Sequence, residues 1–340
     1  MRFNFKCLKL ATHCCIININ IFIKNKGEII IKIPSKNILE RYNCYYKKDT
    51  IFSANARLLQ SIWREKFTTD FDKIGNVFPK NCPKANNFLT QEIYNVVKDS
   101  INNKEYKAVI EENRLYYNLL SSQPLAFNLF GELSKNENLA TEVFKTLFPK
   151  RVAKVTSISF EHSSGRGSLK YTQDHSAFDV FIEYVSVENK KGFIGIEVKY
   201  VESMDELPST HKNIYDQVAE ISEIFKKEKY LELRQKPIQQ IWRDHLLSIS
   251  MYKSNSDYEN GFFVFLFPKN NIKCKNAVEL YKETLVSTDE SIIGFYDIII
   301  EDFVDIVSEI TNDKWVADFI DRYLNFEKIA NLELQNKNNL

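Results

Sequence analysis

Two short segments of strict alternation constrain the fold of this chain more than any other feature of its sequence. In residues 178–184 and again in 193–200, apolar side chains occupy the even positions. The odd positions carry acidic, basic, aromatic and glycine residues instead. A period of two is typical of strands whose faces differ, and the segments are separated only by the loop Ser186–Gly192. The sequence therefore predicts an antiparallel hairpin.

The register of this hairpin follows from arithmetic. If both apolar faces point into one core, paired positions sum to an even number, and the loop centre allows 376 or 378. The first register sets Asp179 opposite Glu197, and the second sets it opposite Lys199. Directly paired Cβ atoms lie about 4.5–5.5 Å apart, and diagonal ones about 7–8 Å. Either register gathers the three charged residues on one face.

Two interpretations of this charged face remain open. In the simpler one the face is solvated and its charges are ordinary surface charges. In the other it is half covered by a helix, because Phe181 and Phe193 share it and Gly195 leaves the backbone open to close approach. Two carboxylates in a half-covered cleft can hold one or two Mg²⁺ or Mn²⁺ ions, and a lysine beside them can orient a water or stabilise a phosphate.

Composition excludes several other functions. The chain of 340 residues has nine glycines and no Gly-Lys-Ser/Thr, and its Gly165-x-Gly167 lacks the third glycine of a dinucleotide-binding fingerprint. Its six cysteines form no Cys-x-x-Cys pair, which argues against a zinc site and a disulfide framework. We therefore expect a cytoplasmic protein without P-loop, dinucleotide or zinc chemistry.

Around the hairpin, the spacing of apolar residues and the positions of prolines predict an α/β chain. Helices are predicted at 54–67, 90–101, 106–120, 125–133, 138–147, 213–229, 238–252, 276–285, 301–311 and 314–326, and further strands at 152–160, 261–267 and, less clearly, 293–299. Residues 1–50 are predicted as a poorly defined extension, whose apolar run 14–23 is too short and polar for a membrane span. A single domain is predicted over 51–330, with a helical part 51–135, a core 136–270 and a C-terminal helical part 271–330.

The charge distribution points to local contacts with a polyanion. Residues 1–48 hold ten basic and two acidic residues, whereas the remainder is net negative. Within that remainder, 143–175 and 223–243 each hold six basic residues. Any nucleic-acid contact of the main body would therefore come from such patches.

The spacing Asp179…Glu197-x-Lys199 across two strands resembles the PD-(D/E)XK nuclease superfamily. The superfamily core, of order αβββαβ, is matched by 138–148, 152–160, 178–184, 193–200, 213–229 and 261–267. Longer stretches beginning at Asn118, Phe160, Ser176, Gly192 and Gln240 resemble one bacterial, restriction endonuclease-like branch of it. The resemblance covers roughly 54–324, and Phe178 stands where the motif name has proline.

This resemblance implies a restriction-endonuclease-like fold and an Mg²⁺- or Mn²⁺-dependent deoxyribonuclease that hydrolyses DNA phosphodiester bonds in restriction or defence. Asp179 and Glu197 would hold the metal, and Lys199 would act beside the attacking water. The superfamily often adds a helix-borne glutamate as a metal ligand, for which the candidates are Glu132 and Glu142. Glu161, at the end of the first core strand, is a further candidate metal ligand, and Gln217 is a candidate to orient the lysine or a phosphate. DNA contacts are expected from Arg166, Lys170, Arg243 and His245.

Two other functions stay open at this point. The protein could be a catalytically idle nucleic-acid-binding protein of the same fold, although all three motif residues are present. It could also hydrolyse a small phosphate compound, although the basic patches favour a polymer. For a nuclease that cuts both strands, a homodimer is an expected arrangement and a methyltransferase an expected partner.

Overall fold

A five-stranded mixed sheet forms the centre of the protein in a computed structural model, which describes residues 31–106, 108, 110–254, 257–286 and 293–338. The strands are β1 (Val152–His162), β2 (Phe178–Ser186), β3 (Lys191–Val198), β4 (Asn260–Phe267) and β5 (Gly294–Ile299), in the spatial order of the chain. Strands β1, β2 and β3 are antiparallel neighbours, whereas β3, β4 and β5 are parallel. The predicted hairpin is confirmed, and its pairs, such as Val180 with Ile196, follow the register that sums to 376.

Helices cover both faces of this sheet. The helices of the described residues are α1 (Lys36–Arg41), α2 (Ile51–Glu65), α3 (Gln91–Asn102), α4 (Glu112–Tyr117), α5 (Ser122–Lys135), α6 (Glu137–Leu147), α7 (Asn213–Ser222), α8 (Tyr230–Leu233), α9 (Gln239–Ser254), α10 (Ile272–Glu283), α11 (Ile300–Ile310), α12 (Lys314–Phe319) and α13 (Glu327–Asn338). The α/β fold class is therefore as predicted. The helix predicted over 213–229 ends early, at Ser222, because Glu223 adopts a left-handed conformation with φ of 58°.

The face that carries the odd-numbered residues of β2 and β3 is covered. Phe181 and Phe193 are 3% and 0% exposed and belong to one apolar cluster with residues of α7, α9 and α10. The opposite face packs against α5, where Phe127 stacks on Phe160 at 4.2 Å between ring centroids. Of the two interpretations of the charged face, the half-covered cleft is the correct one.

Phe178 departs from the alternation that the sequence predicts. Its ring lies on the face of Phe181 and Phe263, with centroids 5.9 Å and 6.3 Å away, and not with the even-numbered side chains. Gly195 makes this possible, because a Cβ atom there would lie 2.4 Å from the Phe178 ring. The close approach that the sequence predicted at Gly195 is therefore made by a side chain of the core.

The predicted N-terminal extension is described only from residue 31, so its apolar run 14–23 lies outside the described residues. The described residues from Ile31 onwards form one compact unit. Within it, α1 buries Ile38 and Leu39, and Cys44 is fully buried. The part of the predicted extension that is described thus contributes to the core. Among the described residues, no helix is long and apolar enough to cross a membrane.

Candidate active site

Three carboxylates stand in a row across one end of the sheet. Phe160 pairs with Val180 and Val180 with Ile196, so the next residues along place Glu161 beside Asp179 and Asp179 beside Glu197. Because β2 runs against its two neighbours, its beginning meets the ends of β1 and β3 at the same edge. The register therefore brings the two predicted metal ligands to adjacent positions.

Each of the predicted catalytic side chains is held by hydrogen bonds. Asp179 Oδ2 accepts from the backbone N–H of Val198 at 2.8 Å. Glu197 Oε1 accepts from Lys199 Nζ at 2.6 Å and from Gln240 Nε2 at 2.7 Å. Lys199 Nζ also donates to Gln240 Oε1 at 3.0 Å. Gln240, in the first turn of α9, thus fixes the lysine and the glutamate relative to each other.

Burial and mutual repulsion govern the charges at this site. Desolvation, followed by the charges of Glu197 and Glu161, raises the pKa of Asp179 well above its usual range. Burial alone would lower the pKa of Lys199, but the neighbouring Glu197, Glu202 and Asp179 outweigh it and raise that pKa. The carboxylates around Lys199 therefore favour its protonated form, which offers a positive charge and N–H donors.

The donor set suits a divalent cation that keeps part of its water shell. Asp179 and Glu197 offer hard oxygen ligands from adjacent strands, which Mg²⁺ and Mn²⁺ prefer. Among the described residues, no group of three His, Cys, Asp or Glu side chains is arranged to hold a metal ion. A cation held by Asp179 and Glu197 would fill its other positions with water. Gln123 Oε1, buried without a hydrogen-bond partner, is an acceptor beside this site.

Glu161 is held at the end of β1 by two contacts. Its Oε1 accepts from Gln123 Nε2 at 2.6 Å, and its backbone carbonyl accepts from the guanidinium of Arg166. Its φ of 54° is left-handed, which is uncommon for glutamate. Burial raises the pKa of Glu161, and the charge of Glu197 adds to this, against the opposing effect of Gln123.

The start of α5 is joined to the end of β3 by Glu202. Its Oε1 accepts from the backbone N–H of Ser122 and from Arg114, each at 3.3 Å. Its Oε2 accepts from the N–H of Tyr200 at 2.6 Å. The helix that carries Gln123 is therefore tied to both strands that flank Asp179.

The other carboxylate and amide candidates lie elsewhere. Glu132 accepts from Thr90 Oγ1 at 2.5 Å, nine residues and about 13 Å along α5 from Gln123. Glu142 is exposed and pairs with Lys145, and Gln217 is exposed on α7. The structure thus places Gln240, and not Gln217, beside the lysine.

Of the four residues expected to contact DNA, one is exposed and the others are buried or paired within the protein. His245 is fully buried, with its ring nitrogens bonded to Tyr281 Oη at 2.8 Å and to the Ile293 carbonyl at 2.9 Å. Arg243 is engaged by Asp174, and the Arg166 side chain is only 3% exposed. Of the four, Lys170 is the exposed one. His245 therefore cannot reach DNA, and the two arginines serve internal contacts.

Sequence reasoning missed Gln123 and Gln240 as site residues. Both lie in stretches that resemble the nuclease branch, but neither belongs to the three-residue motif. Their hydrogen bonds to Glu161 and Glu197 cross 38 and 43 residues of chain. Strand periodicity carries no information about such contacts, because both residues come from helices.

Comparison with known proteins identifies a family whose model spans the sheet and the helices around it. A family model described as the PD-(D/E)XK nuclease superfamily matches residues 47–325, which is most of the chain. No curated protein matches the chain significantly, and neither does any solved structure. The matched range includes the sheet, the row of carboxylates and the helices that carry Gln123 and Gln240.

Proposed function

This chain belongs to the PD-(D/E)XK nuclease superfamily, and on that premise we propose that it is a metal-dependent endonuclease that hydrolyses DNA phosphodiester bonds. The observation that carries the proposal is the joint position of Asp179, Glu197 and Lys199. Two carboxylates lie at adjacent positions of paired strands, and a buried lysine bonds to one of them at 2.6 Å.

Each residue has a role that follows from its chemistry. Asp179 and Glu197 would hold a divalent cation, which when bound acidifies a water and offsets charge on a phosphoryl oxygen. Lys199 keeps its positive charge because carboxylates surround it, so it stabilises the charge that develops on the phosphate oxygens. Gln240 is a positioning residue, since it holds the lysine through one hydrogen bond and the glutamate through another.

A DNA substrate is favoured over a small phosphate compound by the residues around the site. Arg114 lies next to the Ser122 end of α5, and its side chain is 44% exposed although it pairs with Glu202 at 3.3 Å. Lys170 is exposed on the loop that joins β1 to β2. Exposed cations on separate elements suit a substrate with several phosphates. A restriction or defence role in the cytoplasm, action as a homodimer and a methyltransferase partner are further parts of this proposal.

The proposal is tested by offering three substrates to the purified protein with Mg²⁺ or Mn²⁺. These are duplex DNA, RNA of the same sequence and bis(p-nitrophenyl) phosphate, at equal phosphate concentration. We expect cleavage of the DNA, and its loss on adding EDTA. Cleavage of the small diester alone would favour the small-molecule hydrolase. DNA binding without cleavage of any substrate would favour the idle protein.

A further inference from the structure

Gln123 has one half of its amide bonded and the other half unsatisfied. Nε2 donates to Glu161 Oε1 at 2.6 Å, whereas Oε1 is buried without a hydrogen-bond partner. The residue is only 8% exposed. A buried polar atom without a partner costs about 1–3 kcal/mol, so it requires an explanation in a folded protein.

The position of this amide is over-determined. Glu161 holds it from β1, and Glu202 holds the preceding residue, Ser122, through its N–H at 3.3 Å. Ser121 Oγ accepts from the N–H of Gln123 itself at 3.2 Å. Because Glu161 holds Nε2 and the backbone at this point is itself held, the amide cannot easily turn its carbonyl towards solvent. The unsatisfied acceptor is therefore kept at the end of the sheet where the carboxylates stand.

A buried acceptor needs a donor, and Gln123 Oε1 receives none from the described residues. Glu161, Asp179 and Glu197 are carboxylates, which accept hydrogen bonds when ionised. Water molecules carried by a divalent cation are strong donors, and Mg²⁺ retains several of them when it binds through one or two carboxylates. Such waters would satisfy Gln123 Oε1.

We propose that Gln123 and Glu161 form an acceptor pair that receives hydrogen bonds from the water shell of a cation held by Asp179 and Glu197. This inference rests on the proposed function and extends it to a residue outside the three-residue motif. Gln123 is a positioning residue in this arrangement: its N–H donor orients Glu161, and its carbonyl orients a water. Partners of this kind in metal sites typically contribute 10- to 100-fold to metal affinity.

The test is Mn²⁺ binding to the full chain by isothermal titration calorimetry, without DNA. Gln123→Met keeps the length of the side chain but removes both hydrogen bonds, and we expect it to weaken Mn²⁺ binding at least about tenfold. Gln91→Met is the matched control, because Gln91 is an exposed glutamine in the first turn of α3. It should leave the affinity unchanged.

A second variant keeps the proposal falsifiable if Gln123→Met does not fold. Glu161→Gln removes the carboxylate charge but not its length, and it should weaken Mn²⁺ binding on the same scale. The double variant should bind about as weakly as either single one, because the two residues act as one pair. A purely structural role would lower the melting temperature and leave the affinity of the folded protein unchanged.

The outcomes separate this inference from the proposed function. If the wild type binds Mn²⁺ and Asp179→Asn does not, the metal site stands. Folded Gln123 and Glu161 variants that then bind within about twofold of the wild type would overturn the inference alone. If the wild type binds no Mn²⁺, the inference falls together with the proposed metal site.

Discussion

Lys199 owes its charge to the carboxylates around it. Burial opposes a protonated amine, yet Glu197, Glu202 and Asp179 together raise its pKa. Because the ammonium group of Lys199 is already in place before the substrate arrives, the site needs little reorganisation to stabilise charge during the reaction. At the scale of single residues, this makes Lys199 a group for turnover more than for affinity.

Replacing Lys199 with alanine should therefore separate binding from cleavage. We expect Lys199→Ala to bind DNA nearly as well as the wild type and to cut it at least ~100-fold more slowly, the scale of one lost transition-state contact. Lys47→Ala, which removes an exposed lysine, is the control and should cut normally. Equal cutting rates for Lys199→Ala and the wild type would contradict this role.

Arg166 and Lys170 should respond differently to substitution, although both were predicted to contact phosphates. Lys170 is exposed, so Lys170→Ala should reduce the salt dependence of DNA binding by about one unit of slope. Arg166 donates to the backbone carbonyl of Glu161, so Arg166→Ala should slow cleavage and lower the melting temperature without changing that slope. Binding titrations over a range of salt concentrations check both. A slope change confined to Arg166→Ala would contradict the assignment.

The three motif residues could be predicted from the sequence, whereas their partners could not. The period of two in both strands places Asp179 and Glu197 on one face. The partners Gln123 and Gln240 come from α5 and α9, and their direction depends on how those helices pack on the sheet. The sequence pattern assigned Phe178 to the wrong face for a related reason. Its ring packs over Gly195, where the missing side chain leaves room, and this contact could not be read from the alternation.

At the scale of elements, α9 joins the site to the core. Its first turn supplies Gln240, and one and a half turns later His245 lies between Tyr281 of α10 and the Ile293 carbonyl. The sequence predicted this helix over 238–252, close to its observed bounds. It also predicted a DNA contact for His245, and this was wrong because a helix packed on a sheet buries one side entirely.

His245 should make the stability of the protein depend on pH. Burial lowers its pKa to about 4 from the ordinary 6.5. The folded state then binds fewer protons than the unfolded state below pH 6.5, so the free energy of unfolding falls as the pH falls from 6.5 towards 4. Between pH 8 and pH 5 this residue should account for a loss of about 2 kcal/mol.

Urea unfolding of the wild type and His245→Phe at the two pH values measures this loss. The variant should be less stable at pH 8, because it lacks two buried hydrogen bonds, but it should lose about 2 kcal/mol less on acidification. His175→Phe, at an exposed position, should behave like the wild type. A pH dependence that is the same in His245→Phe and the wild type would refute the assignment.

At the scale of the whole molecule, the helical part before the sheet contributes a residue to the candidate active site. The sequence predicted that 51–135 packs beside the core within one domain, and α5 from this part supplies Gln123 to Glu161. The two basic patches, 143–175 and 223–243, offer fewer unpaired cations for a polyanion than their composition indicates. Lys154 pairs with Glu137 at 2.7 Å, and Arg234 pairs with Asp216 at 2.7 Å. Composition counts charges, but only the fold decides which of them are already neutralised.

The most direct test of the account is nicking of supercoiled plasmid with Mg²⁺ by the wild type, Asp179→Asn and Glu197→Gln. Both variants keep the size of the side chain and remove one oxygen ligand, so we expect nicking by the wild type alone, and none in EDTA. Glu206→Gln is the matched control, because it removes an exposed carboxylate from the loop that follows Lys199. It should nick like the wild type. Nicking by Asp179→Asn and Glu197→Gln at the rate of the wild type would contradict the account.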